Sequence, residues 1–185
     1  MRVSKVCELL GVIVLAANVA GAASIDQKQD FQLFKDVAAS VDRYTQFTIF
    51  DDISADVKDG VVTLSGKVTM PYKRDDIEKR VANVDGVRTV RDQITVLPVS
   101  QFDESLRYRI ARSIYGNSNF WNYAIMPNPP IHIVVENGRV TLTGVVNSEV
   151  DRMLARSLAS QFGAFSVTSA LKTDAEMREA LEKPE

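Results

Sequence analysis

Asp59-Gly60-Val61-Val62-Thr63-Leu64-Ser65-Gly66 returns as Asn137-Gly138-Arg139-Val140-Thr141-Leu142-Thr143-Gly144, 78 residues further on, and this pair of segments decides the fold. Asp-Gly and Asn-Gly tolerate the positive φ angles of a tight type I′ turn. Apolar residues alternate on both sides of each turn, so each reads as the tip of a β-hairpin. The expected antiparallel pairs are 52–58 with 61–68 and 130–136 with 139–146. Because side chains swap faces along a strand, the first inward set is Ile53, Ala55, Val57, Val62, Leu64 and Val68. The second is Ile131, Ile133, Val135, Val140, Leu142 and Val146.

The repeat extends outward from the hairpins. Gly86, Val90 and Ile94 recur as Gly163, Val167 and Leu171. Between hairpin and glycine, Ile77, Val81 and Val84 share a helical face, as do Val150, Leu154 and Leu158. Gly86 and Gly163 are expected to close these helices. A third strand follows each, parallel to the second through a right-handed crossover. Ahead of each hairpin lies another helix. One carries Phe34, Val37, Ala38 and Val41 inward; the other carries Leu106, Ile110 and Ile114, with Asp103 as N-cap. The expected class is α+β: two tandem α-β-β-α-β domains, each a three-stranded mixed sheet with two helices on one face. They occupy residues 30–98 and 102–172, joined by Pro98-Val99-Ser100, and 173–185 is expected to be a fraying acidic tail.

Composition sets limits. The chain has 185 residues, 45% hydrophobic and 25% charged, with a net charge of −2, which suits a globular protein and offers no basic excess for nucleic acid. Residues 1–23 resemble a secretory leader: Arg2 and Lys5, an uncharged run from Leu9 to Ala17, then Ala20-Gly21-Ala22 as a cleavage signal. An uncleaved anchor is the other reading of this segment. Cys7 precedes the apolar run, so it does not fit a lipidation signal. Cleavage would leave a chain without cysteine, suited to an oxidising compartment, at net charge −3.

Little in the chain points to catalysis. Gly60 to Lys67 has the wrong spacing for a phosphate loop. The single histidine, His132, falls on the open sheet face and reads as solvated or lightly packed. Asp51-Asp52 and Asp75-Asp76 read as a strand start and a helix N-terminus, and Asp52, Asp56 and Asp59 lack calcium-loop spacing. No catalytic residue, metal ligand or cofactor is therefore assigned.

The segments DGVVTLSGKV with GVRTVRDQI, and NGRVTLTGVV with GAFSVTSAL, resemble the BON domain (bacterial OsmY and nodulation domain). Copy two departs from that pattern at Ala164 and carries an unusual proline loop at Pro127, Pro129 and Pro130. The resemblance implies a secreted tandem-BON protein of the periplasm, free or peripheral on a membrane. It implies no catalysis and attachment to anionic phospholipid or envelope proteins, in osmotic or envelope stress. The competing reading is a periplasmic chaperone or protein–protein adaptor that does not bind lipid.

One surface stands out as a binding candidate. Opposite Leu106, Ile110 and Ile114, the same helix carries Tyr108, Arg112 and Tyr115, flanked by Arg109, and Trp121 follows. Tyrosine and tryptophan favour the headgroup layer, and arginine pairs with phosphate. Charge is uneven too: residues 25–98 sum to −2 and 101–172 to +2. The face can contact lipid, pack against copy one, or stand in solvent. The open sheet face of copy two, with His132, Val134, Thr141, Thr143 and Val145, is a second candidate surface.

Overall fold

The computed structural model describes residues 19–182, with side chains at 29–179. Most of the expected leader lies outside the described residues, as do the last three residues of the tail. Among the described residues, no helix is long and apolar enough to cross a membrane.

The first unit runs α1 (Val19–Asp42), β1 (Asp52–Lys58), β2 (Val61–Val68), α2 (Pro71–Ala82) and β3 (Thr89–Val96). The second runs α3 (Gln101–Tyr115), α4 (Trp121–Ala124), β4 (Ile131–Glu136), β5 (Arg139–Val146), α5 (Glu149–Ala159), β6 (Ser166–Ser169), β7 (Lys172–Thr173) and α6 (Asp174–Glu182). In both units the hairpin is antiparallel and the crossover strand is parallel. The first sheet has the order β1-β2-β3. The second has β4-β5-β6, and β7 pairs with β5 as well, so its third strand is one strand broken at Ala170-Leu171. Leu171 turns into the core at that break, only 2% exposed.

Both turns are left-handed at two successive residues, Asp59-Gly60 (φ 51° and 73°) and Asn137-Gly138 (φ 50° and 72°), as type I′ demands. Each is anchored the same way. Asp30 on α1 accepts the N–H groups of Asp59 and Gly60 (3.0 and 3.4 Å). Asp103 on α3 accepts those of Asn137 and Gly138 (2.8 and 2.7 Å). Registering the helices on these aspartates aligns Leu33, Val37 and Val41 with Leu106, Ile110 and Ile114, all buried. The helices are thus 73 residues apart and the hairpins 78. The five extra residues of copy two lie between helix and hairpin, where α4 and the proline loop sit.

Several expectations need correction. Leu33, not Phe34, takes the first inward position on α1; Phe34 is turned out, because the face that carries Asp30 to the hairpin runs through Leu33 and Val37. Asp103 is the turn anchor rather than the N-cap of α3, a role taken by Ser100, whose hydroxyl accepts the Asp103 N–H (3.2 Å). On α5, Val150 is exposed while Ala155 and Ala159 are buried, since the small residues let the helix lie close to the sheet. α2 ends at Ala82 with Asn83 as its C-cap, so Gly86, although at positive φ (96°), lies past the cap, whereas Gly163 (φ 75°) directly follows a final 3₁₀ turn after α5. The acidic tail is helical as far as 182. Thr173 and Glu176 form a reciprocal capping box (2.7 and 3.2 Å) at the start of α6, and Arg152 holds Glu176 at 3.0 Å.

Candidate functional site

The helix α3 is built from two contrasting faces. Leu106, Ile110 and Ile114 are 0–2% exposed and pack with Phe120, Tyr123 and the strands β4 and β5. On the other side Tyr108, Arg109 and Arg112 stand in solvent, and Trp121 on α4 is 66% exposed. Among the described residues neither Arg109 nor Arg112 is in a salt bridge. Exposed guanidinium groups without carboxylate partners are free to meet an external anion.

Tyr115 does not join them. Its hydroxyl donates to the Ile131 carbonyl (2.6 Å) and accepts the Ile131 N–H (3.1 Å). It is half-buried against the second core, and burial pushes its hydroxyl well above the ordinary tyrosine value. The helical spacing that put Tyr115 beside Arg112 carries no information about a strand end sixteen residues away. Tyr108 is intermediate: exposed, but with its ring edge-on to Phe50 of the first unit (5.2 Å, 77°). The face thus divides: Arg109, Arg112 and Trp121 stand in solvent, Tyr108 also touches copy one, and Tyr115 belongs to the second core.

Copy one reaches across through residues 47–51. The Ile49 carbonyl accepts the N–H of Ile133 (2.7 Å), and the Asp51 carbonyl lies 2.6 Å from His132 Nδ1. Since a carbonyl only accepts, Nδ1 carries the proton. The His132 ring also packs against Phe47 (5.4 Å). His132 is therefore a contact between the units rather than a solvated strand histidine. Phe50 packs on the second core, Asn128 donates to the Asp42 carbonyl (3.0 Å), and Lys67 pairs with Glu136. A cleft of about 540 Å³ remains beside this contact, lined by Phe47, Asn128, Pro130 and His132 among others.

Burial explains the remaining charged groups. Arg107, 8% exposed, donates to the Val135 carbonyl (2.7 Å), and desolvation lowers its pKa against the opposing charge of Asp103. The Tyr123 hydroxyl donates to Asp151 (2.8 Å) and accepts the Asn147 N–H (2.7 Å); burial, with Asp151 beside it, pushes it up to about 12. Among the described residues, no group of three or more His, Cys, Asp or Glu is placed to hold a metal ion.

Fold and surface together define a class: a tandem α+β repeat whose second unit exposes arginine and aromatic side chains on one helix. The BON domain family matches residues 29–98 and 118–174, and the chain belongs to this family. The second match begins after α3, although α3 packs in its unit as α1 does in the first. No curated protein matches the chain. Among solved structures, one of CdsD, a structural protein of the type III secretion system of Chlamydia trachomatis, is 13% identical; the match covers 83% of this chain and 99% of that one at a TM-score of 0.30. A C-terminal domain structure of the same protein is 14% identical, over 80% and 65% of the two chains, at a TM-score of 0.28. Neither similarity is close enough to carry an argument.

Proposed function

We propose that this protein is a non-catalytic binding module of the bacterial periplasm that attaches to the surface of an anionic phospholipid membrane through its second unit. In this reading it serves envelope maintenance under osmotic or envelope stress. The observation that carries it is the pairing of Arg109 and Arg112, exposed and in no salt bridge among the described residues, with the exposed rings of Tyr108 and Trp121. Guanidinium groups bind lipid phosphate, and the rings settle where one end is apolar and the other wet. The first unit acts as a brace, because Phe50 and the 47–51 segment hold it against the second. Each basic residue near an anionic surface contributes about 1 kcal/mol, so attachment is weak and salt-sensitive.

Sedimentation with phosphatidylglycerol vesicles, against phosphatidylcholine vesicles, tests this. Binding is expected only to the anionic vesicles and to weaken with salt. Arg112→Glu both removes a charge and adds a repulsion, so affinity should fall about thirtyfold, roughly 2 kcal/mol. Binding that ignores lipid charge, or capture of unfolded protein with no lipid response, would replace this reading with the chaperone or adaptor one.

A further inference from the structure

Two further aromatic rings sit at the hairpin end of the second unit. Phe102, at the start of α3, is 51% exposed, and Phe165, just before β6, is 78% exposed. The rings stack with centroids 6.1 Å apart and planes 27° from parallel. They lie over the bare backbone of Gly138: a Cβ there would come within 2.7 Å of Phe165 and 3.2 Å of Phe102. Phe165 is held in place by its N–H, which donates to the Gly138 carbonyl (2.8 Å). Val99, three residues before Phe102, is fully exposed.

The fold does not require these rings. In the first unit the same backbone bond runs from Arg88 N–H to the Gly60 carbonyl (2.8 Å), and the Arg88 side chain lies over Gly60. Registering α1 on α3 puts Gln29 where Phe102 stands. One copy thus finishes its hairpin end with Gln29 and Arg88, the other with two phenylalanines in water. An exposed apolar pair of this kind marks a contact rather than a packing need.

Its position says with what. Phe102, Ser105, Arg109 and Arg112 fall at i, i+3, i+7 and i+10, a single stripe of α3, and all four are exposed. The Cα atoms of Arg109 and Arg112 lie about 10 and 15 Å along the helix axis from that of Phe102. The exposed acid of the helix, Glu104, lies off this stripe. A free phosphate would use the arginines and leave the phenyl rings in water. A bilayer surface uses both, with apolar rings below the headgroups and cations at the phosphates.

We propose that Phe102 and Phe165 form a wedge that enters the interfacial layer of an anionic bilayer, aligned by Arg109 and Arg112 along the same stripe. The wedge rests on the lipid-binding reading above. The chain has a single tryptophan, so Phe165→Trp in a Trp121→Phe background reports on this position alone. With phosphatidylglycerol vesicles the indole emission should shift to the blue and be quenched by bromine on the upper acyl chain. In the otherwise native chain, Phe102→Ser with Phe165→Ser should lower vesicle affinity about tenfold or more, and, both rings being exposed, should leave the melting temperature nearly unchanged. Undiminished sedimentation without shift or quenching would overturn the wedge and leave the lipid reading standing. A chain that fails to sediment with anionic vesicles at all would remove both.

Discussion

At the residue scale, Asp51 organises the first unit. It is fully buried, and its carboxylate meets Lys73 at 2.6 Å, the N–H and hydroxyl of Thr69 at 2.8 Å each, and those of Thr48 at 2.9 and 2.7 Å. Burial alone would raise its pKa; the bonds from Lys73, Thr69 and Thr48 outweigh that and hold it below the ordinary carboxylate value. A carboxyl whose folded pKa is depressed stabilises the protein above its unfolded pKa, and this stability drains away as pH falls through the folded value. The contribution of Asp51 is therefore complete at neutral pH, begins to fall below about pH 4 and is gone only once pH is below its depressed folded value. Asp51→Asn leaves Lys73 buried without its counter-ion, and should cost about 3 kcal/mol at pH 7. Urea unfolding at pH 7 and at pH 3 checks this: the difference between variant and native protein should be large at the first and shrink at the second. An equal difference at both would mean that the charge is not what matters. The sequence shows Asp51-Asp52 only as adjacent acids. Thr48 is its one partner close in sequence; the counter-ion Lys73 and Thr69, which bury it, come from the far side of the hairpin.

At the element scale, β4 is an edge strand, and edges left open invite pairing with other chains. Three different groups cover this one. The Tyr115 hydroxyl serves both backbone groups of Ile131, the Ile49 carbonyl takes the Ile133 N–H, and Arg107 takes the Val135 carbonyl. Ile131, Ile133 and Val135 alternate with the residues that bond to β5, so their backbone groups face the free edge, and each of the three residues has at least one partner there. Tyr115→Phe removes only the oxygen. It should destabilise the second unit by about 1–2 kcal/mol and speed hydrogen exchange at the Ile131 amide, while leaving vesicle binding unchanged. Loss of lipid affinity in that variant would return Tyr115 to the binding face. The same strand shows where pattern reading succeeds and where it stops. The hairpins were legible because Asp-Gly and Asn-Gly specify a turn locally and period-two alternation specifies the inward face. Of the six inward positions of copy two, all are buried. Helix rotation was less legible: a run such as Leu33-Phe34 offers two adjacent apolar residues, and the choice falls to Asp30, whose partner is a turn 29 residues on. Arg109 and Arg112, in the exposed half of the candidate site, followed from helical period, and Trp121 from the aromatic stretch that follows the helix. Phe102 and Phe165 did not, since their pairing depends on Phe165, which arrives from beyond β5.

At the scale of the whole molecule, the repeat is unequal in a directed way. The first unit lends residues 47–51 to the second: two carbonyls to β4, Phe47 to His132, and Phe50 to the second core and to Tyr108. That segment is stiff because Thr48 and Asp51 belong to the buried network described above. The Lys67–Glu136 pair also bridges the units, but both side chains are 39% exposed, and such pairs are worth well under 1 kcal/mol. Apolar insertion and backbone bonding, rather than this ion pair, should then fix the relative orientation. Lys67→Ala is expected to leave both units tumbling with a single rotational correlation time in ¹⁵N relaxation. Phe50→Ser with His132→Ala removes the inserted ring and the imidazole contact together, and should give two shorter, distinct times while each hairpin keeps its amide protection. Independent tumbling in the native chain, or in Lys67→Ala alone, would show that the 47–51 segment does not act as a brace. On the proposed lipid reading the orientation matters, since a rigidly held first unit, with its net negative charge, would stay fixed relative to a membrane that draws in the second and repels the first.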